Sequence, residues 1–184
     1  MFTLFSAGDT GMWRMTRCEA SRGEGLSSAA RLAIAPSDSL APPSPAPSSQ
    51  PWQLAGFASN VRYVERAEKT ALVNVQAGLG RTEATCAALI PIKKSAAWWD
   101  LTQEERRDIF EAQSHHIADS MKYLPAIARQ LYHARDLGQP FDFLTWFEYA
   151  PEHADDFERL VAHLRQTQEW AYVEREVDIR LTRA

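Results

Sequence analysis

Between Cys86 and Arg183 the apolar residues switch repeatedly between a period of two and the wider spacing of a helix, which restricts the fold more than any other feature of the chain. CAALIPIKKS (86–95) reads as a strand that ends where Lys93 and Lys94 meet solvent. A helix follows, capped by Thr102 with Glu105 completing a capping box; Ile109, Phe110 and Ala112 form its stripe, and two adjacent histidines, His115 and His116, lie at its end. From Pro125 the period returns to two, with Ile127, Arg129, Leu131 and His133 on one strand face. Gly138 and Pro140 make a turn into the strand DFLTWFEYA. Pro151 then opens a helix with Phe157, Leu160, Val161 and Leu164 at i, i+3, i+4 and i+7. AYVEREVDIRLTR alternates again, with Val173, Val177, Ile179 and Leu181 on one side.

This order of strand, helix, strand, strand, helix, strand is that of a ferredoxin-like unit. Its antiparallel sheet carries helices on one face and needs a second layer on the other. The first half is poorer in helix. FTLFSAG and MWRMTRCEA, joined through Gly8-Asp9-Thr10-Gly11, read as a hairpin. Residues 36–51, PSDSLAPPSPAPSSQP, read as a loop, because proline breaks helices and resists strand pairing. WQLAGFASNVRYV reads as a strand, followed by a polar stretch to Gly80. The expectation is an α+β fold in which a ferredoxin-like repeat forms a dimeric α+β barrel. Residues 1–184 make one domain, with a truncated N-terminal half over 1–94 and a complete half over 95–184.

The composition narrows the ligand. A chain of 184 residues, 45% hydrophobic with a net charge of −4, can bury a core but offers no dominant basic face, which argues against nucleic acid and for a small ligand. Cys18 and Cys86 have no CxxC spacing and point to neither a disulfide framework nor zinc. No run reaches the ~18 apolar residues of a membrane span, and MFTLFSAGDTGMW lacks the basic and apolar regions of an export signal, so the expected location is cytoplasmic.

Three residues attract chemical interest. Counted along an α-helix, His115 falls beside Glu111 and Asp108, whereas His116 falls beside Ala112 and Ile109 and points inward. Arg129, between Ile127 and Leu131, needs an anion or water. Glu169, just before Trp170, is placed to accept a hydrogen bond from the free N–H of a histidine bound elsewhere. Blander readings stand beside these: a packed core histidine, an internal ion pair for Arg129, and Trp98 and Trp99 as core. There is no HExxH, and GLGRT around Gly78 and Gly80 lacks the phosphate-loop pattern. One inward histidine backed by a carboxylate, before an aromatic-lined cavity, fits haem better than zinc.

Through KKSAAWWDLTQEERR, SHHIADSMKYLPAIARQLYH, PFDFLTWFEYAPEHA and EWAYVEREVDIRL the chain resembles the chlorite dismutases, specifically their short dimeric lineage. The resemblance implies a homodimer in which haem b is held by His116 as the iron ligand, with Glu169 as its hydrogen-bonding partner. It implies that Arg129 is the distal arginine, that Gln76 hydrogen-bonds this arginine, and that Asn60, Tyr63, Ile90 and Trp98 meet the haem propionates and edge. The implied reaction converts chlorite to chloride and dioxygen through high-valent iron and hypochlorite. Two rival readings are a coproheme decarboxylase, which characteristically carries glutamine in place of the distal arginine, and a non-catalytic haem-binding barrel.

Overall fold

The computed structural model describes residues 1–40, 51–58 and 64–184. The centre of the proline-rich segment, and the segment with Asn60 and Tyr63, lie outside the described residues. Four strands come first, β1 (Phe2–Gly8), β2 (Trp13–Arg22), β3 (Arg31–Ser37) and β4 (Trp52–Ala58), followed by helix α1 (Arg66–Val75). Then come β5 (Cys86–Lys94), the short helices α2 (Ala96–Asp100), α3 (Gln103–Arg107) and α4 (His116–Met121), β6 (Ala128–His133), β7 (Phe143–Tyr149), α5 (Ala154–Leu164) and β8 (Val173–Arg183). The strands close into a barrel in the order β1-β3-β2-β8-β5-β7-β6-β4, with antiparallel pairing throughout.

Alternation along each strand builds two cores, one on each face of the sheet. Phe5, Leu54, Leu144, Trp146, Val177, Ile179 and Leu181 meet in one. Ile90, Ile92, Phe147 and Tyr149 face the other way and pack against Phe157, Leu160, Val161 and Leu164 of α5. Each of these four α5 side chains is buried and contributes roughly 1.5–3 kcal/mol. The helical spacing that follows Pro151 is therefore what fastens α5 to the sheet.

Four local readings of the sequence are corrected. The expected N-terminal hairpin is absent: β3 lies between β1 and β2, pairing Ile34 with Phe5 and Leu32 with Trp13. Gly11 makes this possible, because its φ is +135° and a Cβ there would sit 2.3 Å from the Leu32 carbonyl oxygen. The proline loop starts later than expected, since Pro36 and Ser37 belong to β3. β2 pairs with β3 only at Trp13 and Arg14, so one edge of β3 at Pro36 has no ladder that requires an N–H.

The polar stretch before Gly80 contains α1, which a reciprocal Glu65–Glu68 capping box starts and which buries only Leu72, leaving little apolar periodicity to read. Finally, β8 does not keep one face. Lys93 pairs with Arg175 but Lys94 with Val173, so the extra residue of a bulge reverses the pleat. Val173 consequently joins the α5 side, opposite to Val177, Ile179 and Leu181.

Candidate functional site

A cavity of about 1090 Å³, including its open mouth, lies on the α5 side of the sheet. Its walls include Ile90 and Ile92 from β5, Ile127, Arg129 and Leu131 around β6, Phe147 from β7 and Leu160 from α5, with Trp98, Phe110, His116, Glu169 and Trp170 completing them. The period-two faces of three strands and one helical stripe thus converge on a single apolar space.

His116 reaches it by an unexpected backbone route. The Thr102 capping box starts α3 as predicted, but residues 108–113 widen into a π-helical turn. The Ser114 N–H donates to Ile109 O, and His115 takes the left-handed conformation at φ +49°. A new helix, α4, then begins at His116. Glu111, expected to accompany His115, caps this helix: the Ile117 N–H donates to its Oε2 at 2.7 Å and the Ala118 N–H to its Oε1 at 3.2 Å. His115 is exposed, and the inward histidine is His116, though not through continuous helical spacing.

The His116 ring stacks on Phe110 at 4.3 Å between centroids, and its Nδ1 lies 2.8 Å from Glu169 Oε2. Glu169 comes from the tight turn Gln168–Tyr172, is 5% exposed, and is positioned by its own N–H donating to Ser114 Oγ at 3.0 Å. Its other oxygen, Oε1, accepts from Lys94 Nζ at 2.7 Å. Burial alone would raise the Glu169 carboxyl, but the Lys94 ammonium and His116 outweigh it and hold its pKa at about 2. The ionised carboxylate accepts from the Nδ1–H, which in the neutral ring leaves the lone pair on Nε2. No described residue hydrogen-bonds Nε2.

Lys94 is the participant that sequence reasoning missed. Assigned to solvent, it is 4% exposed, with Nζ lying 4.5 Å from the Trp98 ring centroid and 5.6 Å from that of Trp170. The available signal was parity, since Lys94 continues the face of Ile90 and Ile92.

Arg129 lines the same cavity, and among the described residues its guanidinium has neither ion pair nor hydrogen bond, so the internal-pair alternative has no counterpart here. Burial pushes its pKa below the ordinary arginine value. Gln76, the residue after α1, donates from Nε2 at 2.6 Å to the backbone carbonyl of Arg129 rather than interacting with the guanidinium. Ile90 and the 1%-exposed Trp98 both line the cavity, while Asn60 and Tyr63 lie outside the described residues.

The donor set is that of a one-histidine axial site: an oriented imidazole, an ionised carboxylate behind it and a wide apolar space before it. Among the described residues no cluster of three or more His, Cys, Asp or Glu side chains could hold a metal ion by itself. Both cysteines are free. No described helix is long and apolar enough to cross a membrane.

Comparison with known proteins agrees with this geometry. A family model described as chlorite dismutase matches residues 48–184. A chlorite dismutase of Ideonella dechloratans is 40% identical over 62 residues, a match spanning 34% of this chain and 20% of that protein's length. The crystal structure of a dimeric chlorite dismutase from Nitrobacter winogradskyi is 66% identical, covers 99% of both chains and superposes with a TM-score of 0.91. The fold alone is shared with the chlorite dismutase of Candidatus Nitrospira defluvii solved with imidazole, at 20% identity, a TM-score of 0.66, and coverage of 100% of this chain and 91% of that one. The chain belongs to the chlorite dismutase family.

Proposed function

We propose that the protein is a haem b-dependent chlorite dismutase that converts chlorite to chloride and dioxygen. The observation that carries this reading is one cavity that holds both an imidazole whose Nε2 has no hydrogen-bonding partner and a guanidinium that has no counter-ion among the described residues. His116 would hold the haem iron through Nε2, and the apolar walls and Trp98 would enclose the macrocycle. When bound, haem would supply the redox chemistry of oxygen transfer.

This chain's residues do the remaining work. Arg129 draws the chlorite anion into a space of low dielectric, where its charge is barely screened, and holds the chlorine-containing fragment close until both oxygens have joined. The reaction balances without a proton or an external electron. A fixed cation therefore suits the site better than an acid–base pair would. Glu169 keeps the proton on Nδ1 and makes His116 a stronger electron donor, with Lys94 holding the carboxylate ionised. Gln76 secures the Arg129 backbone. The cationic Arg129 disfavours the coproheme decarboxylase alternative.

The same reading assigns the haem-binding half to residues 95–184, takes the N-terminal half as a truncated ferredoxin-like copy, and makes the protein a homodimer, as the similar Nitrobacter protein is named. The test is haem titration of the purified protein with His116→Ala and His115→Ala beside it. Loss of the histidine-type Soret band in His116→Ala alone supports the assignment. Equal occupancy and an unaltered spectrum in His116→Ala refute it.

A further inference from the structure

Behind Lys94 lies an anionic residue that the proposed reaction does not use. Glu176 on β8 is 1% exposed and borders the cavity. Its Oε1 accepts from Arg165 Nε at 2.9 Å and from Arg165 Nη2 at 2.6 Å. Its Oε2 accepts from the indole N–H of Trp170 at 2.9 Å. Trp170 is one of the two rings enclosing the Lys94 ammonium, and Lys94 in turn meets Glu169, which meets His116.

We propose that Glu176 is a positioning residue: charge-paired to Arg165, it fixes the Trp170 ring as a wall of the Lys94 chamber and so holds Lys94 on Glu169. The argument is geometric. An indole that has lost its acceptor in a buried setting rotates to find another. A lysine on a flexible stem stays on one carboxylate oxygen only while its surroundings exclude water and other poses. Trp98 guards one side and Trp170 the other, and Trp170 is held by a side-chain acceptor outside the Lys94–Glu169–His116 chain. The inference rests on His116 being the haem ligand, because the effect is read at the iron.

A purely structural role is the competing explanation, since Arg165 also bonds Asp178 Oδ2 at 2.8 Å and the cluster ties the end of α5 to β8. Three variants separate the two. Glu176→Met and Trp170→Phe each break the indole bond, whereas Asp178→Asn weakens the ion cluster and leaves that bond intact. The measurements are the iron–histidine stretching band of the ferrous, haem-loaded protein by resonance Raman and the exchange-protected ammonium protons of Lys94 by NMR.

The expected result is a lower-frequency band and loss of the protected ammonium signal in both Glu176→Met and Trp170→Phe, no further change in the double variant, and neither change in Asp178→Asn. Unchanged band and ammonium signal in either indole-bond variant, or the same changes in Asp178→Asn, overturn the proposal. Should His116→Ala retain the iron–histidine band, the ligand assignment itself has failed, and the Lys94 signal alone then decides whether Glu176 orders the chamber.

Discussion

Glu169 divides its carboxylate between two partners, placing Oε2 2.8 Å from His116 Nδ1 while Oε1 stays 2.7 Å from Lys94 Nζ. The lysine is therefore part of the histidine's environment, and the charge that His116 senses is that of a buried, paired carboxylate. Removing one partner of such a pair leaves an uncompensated buried charge. Lys94→Met should lower stability by about 3 kcal/mol, measured by urea unfolding before haem is added. A loss under about 1 kcal/mol would mean that water already solvates Glu169.

Arg129 differs because it has no counter-ion to orphan among the described residues. Arg129→Ala should keep full haem occupancy without loss of stability, because it removes a desolvated charge and orphans no described partner. Chlorite turnover should fall about 100-fold, the scale for removing one preorganised charged donor, and self-bleaching should accelerate. Steady-state oxygen release and the lifetime of the Soret band report both. Unchanged turnover and lifetime would remove Arg129 from the reaction.

The two histidines separate on backbone grounds as well. His115 holds φ at +49°, a strained conformation for a side chain with a Cβ, and is exposed. His115→Gly should preserve haem uptake and raise stability by up to about 1 kcal/mol, as relief of strain exceeds the added chain entropy. Thermal unfolding of the variant beside the parent checks this, and a marked loss of stability would show that the turn depends on the imidazole.

Acid sensitivity should come in part from the cluster beneath α5. Burial would raise the Asp178 carboxyl, but Arg180, Arg165 and Arg17 hold it from its ordinary 3.8 down to about 2. A depressed carboxylate contributes stability above its unfolded value that is lost as pH falls through the folded one. This contribution, on the order of 2 kcal/mol, should disappear between pH 3.8 and about 2. Asp178→Asn should flatten the stability profile across that window, as read by chemical unfolding at a series of pH values.

Much of the barrel was legible because its outer and inner faces obey simple periods. Ile127, Arg129 and Leu131 share the cavity wall as their alternation required, and Phe157, Leu160, Val161 and Leu164 bury as one stripe. What escaped was everything that breaks a period. The inward turn of His116 depends on a π-helical turn and a left-handed residue, which spacing cannot encode. α1 has one buried side chain, so its capping box was its clearest mark. The placement of β3 between β1 and β2 is a long-range choice that local turn chemistry at Gly11 permits without announcing. Lys94 was misjudged because a charged residue at a strand end ordinarily meets water, and its carboxylate partner lies 75 residues away.

The most direct test of the central claim is the oxygen-electrode trace of purified, haem-loaded protein given chlorite. The account predicts dioxygen equal in amount to the chlorite consumed, with chloride as the chlorine product, and an abolished trace when His116 is replaced by alanine. A fully loaded, histidine-ligated protein that bleaches or stays silent without releasing dioxygen would contradict it.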